Sequence, residues 1–116
     1  MTLAEFQQCL AQRECEGVEF KQSLLGRKEI AEYAVGIGNA GGGKLLMGVS
    51  NKPPRKIHPL PPLTVEGIQQ ILRSVYDAAQ IHIVVENFAT ADGNIVVASI
   101  PARPRGHMFH TRDGNT

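Results

Sequence analysis

The sequence lacks tryptophan, has few aromatic residues and contains no long apolar run. Only 5% of its 116 residues are aromatic, so base stacking on aromatic side chains would contribute little to any nucleic-acid binding. The longest apolar stretches, such as Ile95 to Ile100, are far shorter than the ~20 residues needed to cross a bilayer. The N-terminus also lacks the basic-then-apolar order of a signal peptide. We therefore expect a cytoplasmic protein without a membrane partner.

Cysteine is scarce as well, and neither sign of charge is in large excess. Cys9 and Cys15 leave no second pair for a tetrahedral zinc site, and we expect core thiols rather than a disulfide. The net charge of +1 excludes a protein that binds polyanions by bulk attraction. Residues 33–62 nevertheless contain bases and no acid. Any polyanion binding must therefore come from a local basic surface.

Hydrophobic periodicity predicts three helices. An apolar repeat at helical spacing follows Thr2, which has Glu5 three residues later as in a capping box, so a first helix is expected over about 2–14. Apolar residues three and four apart predict a second helix over about 28–39. A third amphipathic repeat begins after Thr64, whose side chain is a suitable N-cap.

Short apolar runs predict about five strands, the second of them central and covered on both faces. An Asp-Gly-Asn turn at 92–94 predicts a hairpin, and the five prolines of residues 51–62 predict an exposed loop. The fold class is therefore α+β (mixed α/β), a single domain over residues 1–116 with a mixed sheet packed by about three helices. The expected strands are Val18–Lys21, Lys44–Val49, Ile81–Glu86, Asn94–Ile100 and Met108–His110.

The glycine-rich segment matches two phosphate-binding spacings. Residues 38–44 fit GxxxxGK and residues 36–41 fit GxGxxG. In such sites the glycines follow a strand and open a helix, whereas here they follow a helix and open a strand, and Leu45 replaces the hydroxyl that binds magnesium. The pattern is more typical of a glycine C-cap and a tight turn. The alternative is a backbone nest that binds one phosphate of a polynucleotide, formed by Gly41, Gly42 and Gly43.

Acidic residues cluster around the first expected strand. Glu14, Glu16 and Glu19 lie close together in sequence, and the side chain of Glu19 should face away from those of its apolar neighbours. Converging carboxylates can hold a divalent cation for phosphodiester hydrolysis, although acidic residues near a helix end are more often solvated. The spacing of His107 and His110 would allow both to bind one metal ion. Lone histidines, however, are often ordinary surface residues.

Basic residues on two loops are candidates for phosphate contacts. Lys and Arg on loops commonly bind phosphates, in a salt-dependent and largely sequence-independent way. They would form one face if the proline-rich loop and the C-terminal stretch meet; otherwise they are solubilising surface residues. The candidates on the two loops are Lys52, Arg55, Lys56, Arg103, Arg105 and Arg112. Lys21 and Lys44, on the expected strands, complete the set.

Three segments together resemble the Schlafen AlbA-type domain, a family also described as a DNA-binding domain and as a divergent AAA domain. They are ECEGVEFK at 14–21, NAGGG at 39–43 and LLMGV at 45–49. Residues 109–116 are similar to the end of such domains, so the resemblance extends from about residue 12. It implies binding of DNA or RNA, a role in transcriptional regulation, homodimers and, in prokaryotic relatives, an effector region that follows the domain.

The resemblance also implies a possible nuclease. Schlafen relatives that cleave transfer and ribosomal RNA use two glutamates at the spacing of Glu14 and Glu19, with an aspartate just after the Gly-Val strand. Ser50 and Asn51 occupy that place here, which leaves the implied metal site one negative charge short. The main hypothesis is therefore a nucleic-acid-binding domain that needs no cofactor. The alternatives are an endoribonuclease that requires Mg²⁺ or Mn²⁺ and a nucleotide-binding domain.

Overall fold

The computed structural model describes residues 1–12 and 17–111. Within these residues three helices and four strands confirm the expected α+β class, and no helix there is long and apolar enough to cross a membrane. The elements are α1 (Leu3–Ala11), β1 (Val18–Lys21), α2 (Arg27–Asn39), β2 (Gly43–Met47), α3 (Val65–Ala79), β3 (Val84–Thr90) and β4 (Gly93–Ile100).

The four strands form one mixed sheet in the order β1-β2-β4-β3. β1 runs parallel to β2, with Val18 beside Lys44, and β4 runs antiparallel to both of its neighbours. The hairpin between β3 and β4 closes with Thr90 opposite Gly93, which confirms the turn expected from the sequence. The prediction that β2 is a central strand is also confirmed.

Successive residues of β2 pack on opposite faces of the sheet. Leu45 and Met47 belong to the larger apolar cluster, together with side chains of α2 and α3. Leu46 belongs to a smaller cluster that includes Phe6 of α1 and Phe20 of β1. Because strand side chains alternate between faces, this apolar run is buried against helices on both sides, as expected for a central strand.

The first helix begins with the capping box expected from the sequence. The Glu5 N–H donates to Thr2 Oγ1 at 3.1 Å, and the Thr2 N–H donates to Glu5 Oε1 at 3.2 Å. Hydrogen bonding to the Thr2 hydroxyl and backbone lowers the pKa of the Glu5 carboxyl. α1 ends at Ala11, somewhat earlier than periodicity predicts.

The structure differs from the expected strands in number and in several boundaries. β2 ends at Met47 rather than at Val49, and β3 ends at Thr90 rather than at Glu86. Residues 108–110 do not pair as a fifth strand. The N–H and the carbonyl of Phe109 are instead hydrogen-bonded to the side chain of Asn39. β3 begins at Val84 rather than at Ile81, which is buried in the core as part of the connection from α3. The sheet is therefore smaller than predicted.

Thr64 caps α3 as expected, since its Oγ1 accepts a hydrogen bond from the Gly67 N–H at 3.0 Å. Thr64→Ala removes this acceptor and should lower the free energy of unfolding by about 1 kcal/mol, or the melting temperature by about 4 °C. Thr64→Ser keeps the hydroxyl and should melt near the wild-type temperature. Thermal unfolding followed by circular dichroism compares the two, and an equal loss in both would contradict the capping role.

Candidate nucleic-acid interface

The glycine turn ends α2 and leads into β2. The Gly41 N–H donates to the Gly38 carbonyl at 3.2 Å and the Gly42 N–H donates to the Ile37 carbonyl at 2.9 Å. These are the two bonds of a Schellman motif, with Gly41 at φ +114°. The prediction of a glycine C-cap is confirmed. Both amides donate to carbonyls in the last turn of α2, so they are not available to a phosphate. The negative end of the α2 dipole also faces the turn and would repel an anion.

The expected bases of the two loops, as far as the structure describes them, form two groups at opposite ends of β2. One group is on the loop that follows β2, which we call the proline loop (residues 48–58). The other is on the segment that follows β4, which we call the arginine loop (residues 101–107). Ile100 at the end of β4 pairs with Gly43 at the start of β2, and the five residues of β2 extend roughly 13 Å at ~3.3 Å per residue. The two loops therefore do not form a single basic face.

Backbone hydrogen bonds fix the base of the proline loop beside the end of β1. The Lys21 carbonyl accepts from the N–H groups of Gly48 and Val49 at 2.7 and 3.1 Å. Across the loop, the Ser50 N–H donates to the Lys56 carbonyl at 2.9 Å, and the Lys56 N–H donates to Ser50 Oγ at 2.8 Å. These bonds close the loop, and its tip extends into solvent.

Lys52 and Lys56 are exposed on this loop. Neither has an acidic partner among residues 1–12 and 17–111. Their ammonium groups are therefore available to an anion from solution.

The first turn of α2 lies at the same end of the sheet, because α2 returns the chain from the end of β1 to the start of β2. Arg27 and Lys28 are exposed there, beside Glu29. Sequence analysis missed these two bases. Their position at the carboxyl end of a parallel strand pair, where open α/β sheets bind ligands, is the signal that could have identified them.

Lys21 lies on the face of the sheet that packs against α2. Its Nζ is 3.4 Å from Glu19 Oε1 and 4.9 Å from the centroid of the Tyr33 ring. Hydrogen bonding to Tyr33 raises the pKa of Lys21. Because the side chain keeps 30% of its exposure, Lys21 is accessible from solvent.

Two other predicted phosphate ligands are held within the protein. Arg55 Nη1 donates to the Leu10 carbonyl at 2.7 Å, and the guanidinium carbon is 4.2 Å from the centroid of the Phe20 ring. Lys44 Nζ donates to Ser99 Oγ at 3.0 Å. Sequence spacing gave no indication of these internal contacts.

The arginine loop lies against the C-terminal end of α2. Arg103 and Arg105 line a shallow cleft with Asn39 and Gly41. The Arg103 N–H donates to a carbonyl of α2 at 3.0 Å, and its Nη1 donates to the His107 carbonyl at 3.3 Å. Arg105 is exposed. The predicted phosphate ligand Arg112 lies outside the described residues.

The expected metal site is not assembled by the residues that the structure describes. Glu14 and Glu16 lie outside them, and the carboxylate of Glu19 contacts a neighbouring lysine. Within 1–12 and 17–111 no group of three His, Cys, Asp or Glu side chains, including His107 and His110, is placed to hold an ion. Cleavage of RNA at Glu14 and Glu19 remains a prediction.

A parallel β-α-β unit closed by a glycine C-cap, extended by an antiparallel hairpin, defines a mixed α+β domain. The sequence profile described as Schlafen, AlbA_2 matches residues 14–116, and the chain belongs to this family. α1 precedes the matched region. Among curated proteins, none matches the sequence.

This fold is also found in other solved structures, including two that superpose on most of this chain. The DIP2311 protein from Corynebacterium diphtheriae superposes with a TM-score of 0.69 at 14% identity, over 97% of this chain and 27% of that one. The second is the N-terminal domain of a protein from Nitrosomonas europaea named as related to the ATP-dependent DNA helicase RecG. It superposes with a TM-score of 0.68 at 17% identity, over 91% of this chain and 76% of that one. This chain thus spans little more than a quarter of the first protein.

Proposed function

We propose that this domain binds nucleic acid by contacting phosphates at the proline-loop end of the sheet. The observation that carries the proposal is the exposure of Lys52 and Lys56 on a closed loop, without an acidic partner in the described part of the chain. Lys21, Arg27 and Lys28 lie at the same end. Several bases on one end of a domain neutralise consecutive phosphates and release counterions, which favours binding even where net charge is small.

Membership of the AlbA_2 family supports this proposal, and the RecG-related neighbour favours DNA as the ligand. Phosphate contacts position a protein on a duplex but do not read its sequence. A domain that binds in this way suits a transcriptional regulator or an enzyme whose specificity is set elsewhere. Two copies in a homodimer would double the basic surface.

The double variant Lys52→Ala/Lys56→Ala tests which surface binds. If each lysine contacts one phosphate, the affinity of the double variant for a duplex should fall about tenfold at low salt. The slope of log K against log salt should become shallower by roughly two. Fluorescence anisotropy with duplex DNA, single-stranded DNA and structured RNA at several salt concentrations measures both quantities. Mg²⁺ or Mn²⁺ is included in parallel samples, and the probes are examined on a gel afterwards.

Arg73→Ala removes one exposed charge from α3, away from the proposed interface, and should leave the salt slope unchanged. Arg103→Ala/Arg105→Ala removes two charges at the other end of the sheet. If the salt slope becomes shallower in that variant but not in Lys52→Ala/Lys56→Ala, the interface lies at the arginine loop. Absence of salt-sensitive binding to all three probes would refute the proposal, and shortened RNA would favour the endoribonuclease hypothesis.

A further inference from the structure

Arg55 is a half-buried cation whose partners within residues 1–12 and 17–111 are uncharged. Its Nη1 is bound to the Leu10 carbonyl and its guanidinium lies over the ring of Phe20, while its Nε is buried without a hydrogen-bond partner in the described part of the chain. Burying part of a guanidinium is costly unless its hydrogen bonds and charge are compensated. The contacts with Leu10 and Phe20 supply that compensation in part, so they hold the side chain in one orientation.

These contacts join three segments that are distant in sequence. Leu10 is in the last turn of α1, Phe20 is in the middle of β1 and is 1% exposed, and Arg55 is on the proline loop. Lys52 and Lys56 lie on either side of Arg55 in the same loop. Fixing Arg55 therefore restricts the conformations of the stretch that carries both exposed lysines.

We infer that Arg55 is a positioning residue, which braces the proline loop against α1 and Phe20 and so presents Lys52 and Lys56 to phosphates. The contacts of Arg55 are sufficient to support its role in holding the loop. The effect of that role on binding rests on the proposed function. A preorganised loop loses less conformational entropy on binding than a free one, and this raises affinity without a direct contact.

α1 lies outside the region that the family profile matches, which begins at residue 14. The carbonyl that receives the Arg55 hydrogen bond therefore lies before the residues that the family profile matches, although the superposition with DIP2311 covers 97% of this chain.

Phe20→Leu separates positioning from direct contact, because a side chain buried at this level cannot touch nucleic acid. It removes the ring beneath the guanidinium and leaves the charge of Arg55 in place. We expect the amide protons of Ser50 and Lys56 to exchange about five- to thirtyfold faster, the range that corresponds to a partly desolvated cation–π contact. Duplex affinity should fall roughly three- to tenfold as the loop loses its preorganisation.

Phe88→Leu is the matched control. Phe88 packs against the same apolar cluster but lies on β3, with its ring centroid 5.3 Å from that of Phe6. It should also lower the melting temperature, while leaving loop exchange and affinity near wild type. Arg55→Lys keeps the charge but lacks the planar group that stacks on an aromatic ring, and it should behave like Phe20→Leu.

Hydrogen exchange by NMR and anisotropy are both measured well below the melting temperature of each variant. Equal exchange at Ser50 and Lys56 in the two Phe→Leu variants would overturn the brace. Faster exchange with unchanged affinity in a protein that binds DNA would overturn the link to binding. Wild-type affinity in both Arg55→Lys and Phe20→Leu, together with a loss of affinity in Arg55→Ala, would instead indicate a direct phosphate contact. Because exchange needs no ligand, failure of the brace is distinguishable from failure of the proposed function.

Discussion

Gly43→Ala is expected to lower the free energy of unfolding by about 3 kcal/mol or more, because it forces overpacking against backbone. A Cβ at this position would lie 1.9 Å from the carbonyl oxygen of Gly17. That oxygen accepts a hydrogen bond from the Lys44 N–H at 2.9 Å, so it cannot move without disturbing the parallel pairing of β1 and β2. The contact is between backbone atoms, and no change of rotamer can relieve it.

Gly36→Ala provides the same substitution without the clash. Gly36 is exposed in the middle of α2, and an added Cβ would have no atom within 4 Å. This variant should gain about 0.5–1 kcal/mol, because alanine loses less backbone entropy than glycine in a helix. Urea unfolding of both variants gives the comparison. A wild-type midpoint for Gly43→Ala would show that the strands separate at little cost, contrary to the structure.

Asn39→Asp is expected to destabilise the attachment of the C-terminal segment to α2. The Asn39 side chain accepts from the Phe109 N–H at 2.8 Å and donates to the Phe109 carbonyl at 3.0 Å. A carboxylate keeps the first bond, loses the second and places its charge against a carbonyl oxygen. Leaving a partly buried group unsatisfied costs about 1–3 kcal/mol, and the charge adds to this at pH 7.

The loss should depend on pH in a definite direction. Below the pKa of the introduced carboxyl the group is protonated and can again donate to the Phe109 carbonyl, so the difference from wild type should be smallest near pH 3. The difference in stability should grow as the pH rises through the pKa that the carboxyl has in the unfolded chain. It should level off at neutral pH. Asn51→Asp, on an exposed residue, is the control with little expected effect. A penalty for Asn39→Asp that is independent of pH would argue against the proposed geometry.

The sequence predicted local elements well and long-range contacts poorly. The capping box at Thr2, the N-cap at Thr64 and the turn before β4 depend on neighbouring residues, so periodicity and turn chemistry were sufficient. The expected strand at 108–110 failed for a tertiary reason. Phe109 does become buried, but an asparagine side chain from α2 takes the hydrogen bonds that a neighbouring strand would have used.

The candidate site shows the same division. The glycine C-cap followed from a helix pattern and the residues next to it, whereas the grouping of basic residues depended on which loops meet. Lys52 and Lys56 are exposed as a proline-rich loop suggests. Arg55 lies between the two lysines in the sequence. Its side chain nevertheless points inward, because it contacts Leu10 and Phe20. Nothing in the local sequence distinguishes it from the two lysines.

The pairing of β2 with β4 also influences the order in which the chain folds. β3 and β4 are joined by a tight turn, and β1 is joined to β2 through residues 22–42, which include α2, whereas β2 reaches β4 only through the longer segment of residues 48–92. Closing a longer loop costs more entropy, so we expect the hairpin and the β1–α2–β2 unit to form early and to pair with each other late. Until then β2 and β4 are apolar strands, each with an unpaired edge that can recruit a strand from another molecule. The species in which β2 has not yet paired with β4 is therefore the one most prone to aggregate.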